Sequence, residues 1–344
     1  MGVSKAGLVT PETRKAYPRS FEEAGAAALA QLPRLDELLG SWNKVRTLGE
    51  ANFGKVLLVR ATPAAGLELP EVFALKRMLR DRVLAGGEGL ESALNEILAG
   101  LALKGLSLPH TAEVLFAAQD EEFFYLASEY CEHGELFGVL QALVEEHQTG
   151  MSEHVLREVM KEVFQAVESL HAAGVAHRDI SLENLLVTKT GGLRLIDFGQ
   201  AVLLRPLGQG EAWEESAVLP SKRGLPGKEH YRAPELLAGL PYLATKVDAF
   251  ACGVLLYTLA VGAYPGEDLW RGQERAERCA LRPHLEERRL EGRVAPGLLD
   301  LLEQLLAPQP TTRPSVAEAA RHPWLLGVLD GCESVDVDEE AKPY

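Results

Sequence analysis

The spacing of hydrophobic residues changes part-way along the chain. In the first 130 residues, apolar side chains occur in short runs among glycines and polar residues, as in 73–76 and 123–130, which is typical of β-strands. A similar stretch at 45–59 predicts a hairpin of two strands. One longer run, 90–103, has apolar residues at helical spacing and predicts a single helix.

Beyond these runs the pattern becomes helical. Apolar residues recur three and four positions apart in four stretches, at 136–146, 155–171, 249–261 and 298–306. A β-rich first part followed by an α-rich second part predicts an α+β protein of two lobes, with a ligand cleft between them.

The two ends of the chain differ from its middle. Residues 1–41 contain three prolines and an alanine-rich, helix-prone stretch, which predicts an N-terminal extension. Residues 327–344 carry six acidic side chains and one lysine, which predicts an acidic C-terminal tail without fixed structure. Residues 42–326 are therefore the predicted folded domain.

Composition narrows the classes of function. The chain is 47% hydrophobic and 25% charged, which suits a soluble globular protein, and its longest apolar stretch, 249–262, is too short to span a bilayer. Its net charge of −15 argues against nucleic acid as a partner and favours basic protein substrates. The four cysteines lack metal-ligand spacing, so we expect reduced thiols and a cytoplasmic or nuclear location. No feature indicates an oligomer, and a monomer is the default expectation.

A glycine-containing motif, LGEANFGKV, spans residues 48–56. Gly49 and Gly54 allow the backbone to fold tightly, so that its N–H groups can bind phosphate oxygens. Taken alone, the motif is equally consistent with an ordinary β-turn.

Lys76 ends the apolar run 73–76. A strand lysine that faces a cleft can bind the α- and β-phosphates of ATP, and it needs a carboxylate to hold it in place. Glu96, on the predicted helix, fits this role, while Glu88 and Glu91 remain alternatives.

The strongest motif is HRDISLEN, at residues 177–184. Its spacing puts Asp179 and Asn184 on one loop, where the carboxylate can orient the proton of a hydroxyl group and the amide can bind a metal ion. The motif DFG, which begins at Asp197, follows an apolar strand and supplies a second candidate metal ligand. A closing motif, YRAPE, ends the segment. All these motifs in order predict phosphoryl transfer from ATP with Mg²⁺.

In these motifs, residues 42–326 resemble a eukaryotic protein kinase domain of the serine/threonine type. The resemblance implies a bilobal α+β fold with a small β-rich N-lobe at 42–128, a hinge at 129–134 and a larger helical C-lobe at 135–326. It also implies ATP and Mg²⁺ as cofactors and protein hydroxyl groups as substrates.

The resemblance assigns further residues of the nucleotide site. Ser128 matches the gatekeeper position, Glu129 and Cys131 match the hinge whose backbone binds adenine, and Glu135 matches the ribose-side carboxylate. The pocket that the resemblance implies is completed by Leu48, Gly49, Gly54, Val56, Ala74, Lys76 and Leu186.

Three residues resemble structural rather than catalytic positions of the family. Asp248 matches an aspartate that supports the catalytic loop, and Glu235 and Arg313 match a buried ion pair of the large lobe. Loss of one member of such a pair costs about 3–5 kcal/mol.

Four positions depart from the family's pattern. Ala51 replaces a glycine, and Gly100 lies where a bulky apolar residue normally packs between the helix and Phe198. Ser181 stands where a lysine is usual, and Lys228 stands where a threonine is usual.

The departures at Ser181 and Lys228 fall on facing positions if the loops fold as in the family. We therefore predict that the cation has moved between chain segments, so that Lys228 supplies the charge and Ser181 takes the part of the hydroxyl. The alternative is that Lys228 is a solvated surface lysine and the site works without this cation.

The function that these residues favour is ATP-dependent serine/threonine protein phosphorylation. A pseudokinase, which binds nucleotide without turnover, is the alternative that the four departures favour. A kinase of small molecules fits less well, because such enzymes generally lack the closing motif.

Arg178 predicts a phosphate on the activation segment, with Ser221 or Ser216 as the acceptor; the alternative is a loop that is ordered without phosphate.

Overall fold

The structure of the protein is a computed structural model. In the first part of the chain, five strands form an antiparallel sheet. The structure describes residues 25–85, 92–204, 224–266, 269, 279–288, 290 and 294–327. The strands are β1 Leu39–Ala51, β2 Gly54–Pro63, β3 Val72–Leu79, β4 Val114–Gln119 and β5 Phe123–Ser128. They follow the spatial order β1-β2-β3-β5-β4.

The two faces of this sheet bury different side chains. Because successive strand residues point to opposite faces, Phe124 and Leu126 of β5 lie in one buried cluster and Tyr125 and Ala127 lie in another. The first face is covered by the helix Ala93–Leu103, and the second by residues that lie just before and within the start of β1. Within the described residues, the helices before and after the first three strands are α1 Gly25–Ala30, α2 Leu35–Leu38, α3 Arg80–Ala85 and α4 Ala93–Leu103.

The second part of the chain is helical and contains the largest hydrophobic core. Its described helices are α5 Leu136–His147, α6 Glu153–Ala172, α7 Pro234–Leu237, α8 Ala244–Val261, α9 Leu281–Glu287, α10 Pro296–Leu305, α11 Val316–Ala319 and α12 Pro323–Leu326. The two long central helices, α6 and α8, pack against each other. Two small antiparallel pairs, β6 Val175–Ala176 with β9 Val202–Leu203 and β7 Leu185–Val187 with β8 Leu193–Leu195, hold the loops between α6 and α7.

The predicted α+β architecture of two lobes is confirmed. The predicted helices correspond to α4, α5, α6, α8 and α10, with ends that differ by a few residues. Helix α8 begins earlier than predicted, and by length and composition alone it could cross a membrane. However, 89% of it is buried inside the protein, which is the environment of a core helix.

Candidate active site

Lys76 lies on β3, where strand pairing places it beside Val56 and opposite Leu126. Its ammonium Nζ lies 2.5 Å from Oε2 of Glu96, and the pair is largely shielded from solvent. Strand and helix thus hold a cation at the inner wall of the cleft through a charge-assisted bond. Glu96 is the partner that the sequence favoured; Glu88 and Glu91 lie outside the described residues.

Asn95 joins α4 to the DFG motif. The sequence analysis did not predict this link. Its buried Nδ2 lies 3.0 Å from the carbonyl oxygen of Phe198, 3.1 Å from that of Gly199 and 2.9 Å from that of Ala201. Ser92 caps the same helix by accepting the N–H of Asn95. The available signal in the sequence was a polar residue, Asn95, directly before Glu96 in an otherwise apolar part of the predicted helix.

The two glycines of the β1–β2 turn have different environments. A Cβ atom on Gly54 would lie 1.9 Å from the carbonyl oxygen of Arg77 on β3, so only glycine allows this close strand contact. A Cβ on Gly49 would meet nothing within 4 Å, and Gly49 lines the cleft, whereas Gly54 is not among the cavity-lining residues. The predicted phosphate-binding role therefore has structural support at Gly49, while Gly54 packs the sheet.

Asp248, at the buried face of α8, holds the backbone of the HRD motif. Its carboxylate accepts the N–H of His177 at 2.9 Å and that of Arg178 at 2.7 Å, and it also contacts His171 at 2.8 Å. Arg178 has a φ of 64°, in the left-handed region that non-glycine residues rarely adopt. The aspartate fixes this strained turn, in agreement with the structural role that the resemblance implied.

Asp179 and Asn184 meet inside the loop. The Asn184 amide N–H donates to the Asp179 carboxylate at 3.0 Å and to its backbone carbonyl at 2.7 Å. Burial raises the pKa of Asp179, while the positive charge of Lys228 acts in the opposite direction. Each side chain is thereby fixed in one orientation, as a group that positions a reacting hydroxyl requires.

Asp197 has a φ of 63°, which turns its backbone sharply at the start of the DFG motif. Its carboxylate accepts the N–H of Gly199 at 3.0 Å. Burial acts to raise the pKa of Asp197, but the charge of Lys76 and the Gly199 hydrogen bond outweigh it and lower the pKa below the ordinary value. Asp197 is thus held as a carboxylate near a cation.

Lys228 faces the catalytic loop from the segment before the closing motif. Its ammonium Nζ donates to Oγ of Ser181 at 2.6 Å and lies 3.4 Å from Oδ1 of Asn184. Nζ also lies 3.4 Å from Oε2 of Glu183, and the backbone N–H of Lys228 donates to the Asp179 carboxylate at 3.2 Å. The two departures thus occur side by side, and Ser181 is fully buried.

A cavity of about 490 Å³ lies between the lobes. Its lining includes many of the residues implied by the resemblance: Leu48, Gly49, Val56, Ala74, Lys76, Glu96, Ser128, Glu129, Cys131, Glu135, Asn184, Leu186 and Asp197. Asp179, Ser181 and Lys228 are outside this lining, although Asp179 and Lys228 both contact Asn184, which is part of it. Sequence reasoning missed other lining residues, among them Arg46 and Ile196, whereas Tyr130 and Glu132 lie in the predicted hinge and Asn52 lies in the glycine-containing motif.

The residues present fit ATP and Mg²⁺. Asn184 and Asp197 supply an amide and a carboxylate, the oxygen ligands that Mg²⁺ prefers. Lys76 supplies a cation for phosphate oxygens, and the cavity volume is in the range of small-molecule sites.

Ser128, which the resemblance places at the adenine end of the cavity, is the last residue of β5. Ser128 pairs with Ala74 of β3 and with Val114 of β4, so it lies at the back wall of the cavity. Cys131, which lines the same cavity, is buried, and this burial raises the pKa of its thiol to about 12. The thiol is therefore protonated and unreactive at neutral pH.

Gly100 lies on the buried face of α4, one turn after Glu96. A Cβ there would lie 3.1 Å from a methyl group of Val114, so the β4 side chain already fills the space that a larger residue would take. Gly100 also lines a second cavity of about 330 Å³, together with Phe198. The missing side chain is thus partly replaced by Val114.

Glu235 and Arg313 form the expected buried ion pair of the C-lobe. The guanidinium donates to both carboxylate oxygens, at 2.9 and 3.2 Å, and to the carbonyls of Lys246 and Ala307. With every polar group satisfied, the pair links the closing motif to the end of the domain.

The predicted phosphate acceptors Ser216 and Ser221 and residues 328–344 of the predicted acidic tail lie outside the described residues.

This cleft, with its lysine–glutamate pair, catalytic-loop carboxylate and DFG aspartate, defines a class of protein. The chain belongs to the protein kinase domain family, whose sequence model matches residues 42–325.

Three curated relatives illustrate the likeness. The chain is 32% identical over 302 residues to CBL-interacting protein kinase 4 of Oryza sativa subsp. japonica, covering 88% of this chain and 61% of that protein. It is 29% identical over 300 residues to Maternal embryonic leucine zipper kinase of Xenopus tropicalis, covering 85% and 40%. It is 28% identical over 306 residues to Protein kinase domain-containing protein ppk9 of Schizosaccharomyces pombe, covering 89% and 52%. This chain therefore spans between 40% and 61% of the length of these relatives.

Proposed function

We propose that this chain is an active ATP-dependent serine/threonine protein kinase. The observation that carries the proposal is the closed Lys76–Glu96 pair, at 2.5 Å, in the same cleft as Asp197 and Asn184. Both this ion pair and the DFG aspartate must be in place for transfer in protein kinases. The relatives are named as protein kinases, which supports the same class of activity.

Each residue has a role in this proposal. ATP with Mg²⁺ supplies the phosphoryl group and neutralises charge during its transfer. Lys76 would bind phosphate oxygens, while Asn184 and Asp197 would hold the metal ion. Asp179 would orient the acceptor hydroxyl and accept its proton, and its fixed orientation supplies the positioning that this chemistry mainly requires.

Lys228 and Ser181 would share the role that a single lysine usually plays. The 2.6 Å bond from Nζ to Oγ of Ser181 and the 3.4 Å approach to Asn184 put the ammonium on the catalytic loop. A cation here can stabilise negative charge that develops on the transferred group. The contact with Glu183 partly balances this charge and helps to hold the Lys228 side chain, which is 37% exposed.

Basic protein sequences are the proposed substrates. Acidic side chains line the cavity at Glu50, Glu132, Glu135 and Glu183, and the whole chain has a net charge of −15. Opposite charges at the mouth of a cleft raise the rate at which a cationic segment associates.

A monomer in the cytoplasm or nucleus is the proposed state. Cys131, Cys252 and Cys279 are free and buried, which suits a reducing compartment.

A peptide array with serine, threonine and tyrosine acceptors, incubated with labelled ATP and Mg²⁺, tests the proposal. Label is expected on serine and threonine peptides with basic flanking residues, and it should disappear with Asp197→Ala. A chain that binds ATP but labels no peptide would be a pseudokinase, the alternative that Ala51 and Gly100 favour.

A further inference from the structure

Residues 29–39 lie across the N-lobe before the predicted start of the folded domain. Leu29 and Leu39 are each 3% exposed, and Leu35 is 5% exposed. Such burial is unexpected for an extension, because a flexible segment keeps its leucines in contact with water. The segment is therefore part of the N-lobe core.

Leu29 packs on α4, the helix that carries Glu96. It belongs to the same buried cluster as Ala93 and Ile97, which are four residues apart and so share one helix face. Met78 of β3 is in this cluster as well. Leu29, which is itself part of α1, thus packs on the face of α4 that is turned toward the sheet. Glu96 of the same helix reaches Lys76 in the cleft.

Gln119, the last residue of β4, fixes the segment in position. Its Nε2 donates to the carbonyl of Leu32 at 2.8 Å, and its backbone N–H donates to the carbonyl of Pro33 at 2.9 Å. On the other side, its Oε1 accepts a bond from Arg80 at 2.6 Å. One amide therefore connects the segment to the edge strand of the sheet.

Leu35 lies on the opposite side of the sheet from Leu29. It belongs to the cluster of Phe73, Tyr125 and Leu39, which contains no residue of α4. The two leucines are thus equally buried in one segment but differ in whether they touch the helix of the active site.

We propose that residues 29–39 position α4, with Leu29 as the positioning residue that keeps Glu96 against Lys76. This rests on the proposed kinase function, because the Lys76–Glu96 pair matters only where ATP is bound. A loss of the Leu29 contact would let α4 shift and would weaken phosphate binding by Lys76, beyond any loss of overall stability.

The test compares Leu29→Ala with Leu35→Ala in the full chain, measuring unfolding temperature, kcat and KM for ATP, and hydrogen exchange in 93–103. Both variants remove a buried leucine, so both should lower the unfolding temperature. We expect kcat/KM for ATP to fall about tenfold in Leu29→Ala but less than about twofold in Leu35→Ala. Exchange in 93–103 should accelerate in Leu29→Ala alone. Equal effects of the two variants, or an unchanged Leu29→Ala enzyme, would overturn the proposal.

A second variant, Gln119→Glu, addresses the case in which Leu29→Ala does not fold. The glutamate keeps the acceptor for Arg80 and removes the side-chain N–H that holds Leu32, so the docking of the segment is weakened while the backbone bond to Pro33 remains. We expect faster exchange in 93–103 and lower kcat/KM for ATP, and protection equal to wild type would also overturn the proposal. If the wild-type chain transferred no phosphate, the proposed function would fail, whereas exchange in 93–103 would still decide whether the segment holds α4.

Discussion

Lys228 and Ser181 meet side chain to side chain although 47 positions separate them in the sequence. Sequence reasoning could predict their proximity, because each departs from a family pattern whose two positions face each other. It could not predict the further approach to Asn184 and Glu183, since that depends on the rotamer of a long side chain. The structure shows that the two side chains are in contact, so what is left to measure is how much their contact contributes to the rate of transfer.

A double-mutant cycle tests this exchange. Lys228→Met should lower kcat by about 10²-fold or more with little change in ATP affinity, because a preorganised charge near the transferred group is lost. Lys228→Thr combined with Ser181→Lys should restore more activity than the two single effects predict. Steady-state kinetics and nucleotide titrations check both points, and strictly additive effects would mean that the two residues act independently.

Ser128 offers a second test at the residue scale. Its small side chain leaves the back of the cavity open toward Leu126 and Glu96. Adenine analogues with bulky substituents should therefore inhibit the wild type more strongly than Ser128→Met, while the KM for ATP should change little. The comparison is made by inhibitor titration of both enzymes, and equal inhibition would place the gatekeeper elsewhere.

At the scale of elements, the helices could be predicted and the start of the N-lobe could not. The apolar periodicity of α6 and α8 reflects one buried face or complete burial, which sequence patterns report well. Before β1, Leu29 and Leu35 serve opposite faces of the sheet, and Pro33 separates them, so they form no single periodic pattern. The bonds of Asn95 and the close packing of Gly54 could not be predicted for a related reason: their partners are backbone atoms of distant segments.

The β4–β5 turn gives a pH-dependent prediction. Asp120 accepts the N–H groups of Glu122 and Phe123 at 2.9 and 2.7 Å and the hydroxyl of Tyr125 at 2.6 Å. Burial acts to raise the pKa of Asp120, but these hydrogen bonds outweigh it and lower the pKa below its unfolded value. The stability that Asp120 contributes is therefore present above the unfolded pKa and is lost as pH falls through the folded pKa.

Asp120→Ala should accordingly lower the free energy of unfolding at pH 7 by about 1 kcal/mol. The difference from wild type should shrink as the pH falls below the ordinary aspartate pKa of about 4 and through the lower pKa of the folded state. Chemical denaturation at several pH values measures this, with Glu122→Ala, an exposed neighbour in the same turn, as the control. A difference that did not change with pH would show that the charge of Asp120 does not stabilise the turn.

At the scale of the whole molecule, two lobes meet at a cleft, and Leu98, Ala99 and Leu103 of α4 belong to the hydrophobic core of the C-lobe. The N-lobe supplies Lys76 and Glu96, and the C-lobe supplies Asp179, Asn184 and Asp197. Buried contacts fix each group: Asn95 links α4 to the DFG motif, and Asp248 holds the catalytic loop. These contacts hold the side chains in the arrangement that the proposed transfer requires.

The central claim is that this arrangement transfers phosphate to a hydroxyl group with Asp179 as the base. The most direct measurement is the rate of peptide phosphorylation by wild type and by Asp179→Asn, together with ATP affinity for both. The account predicts transfer by wild type, a loss of about 10²–10⁴-fold in Asp179→Asn, and nearly unchanged ATP affinity. A near-wild-type rate in Asp179→Asn, or no transfer by wild type in spite of ATP binding, would contradict it.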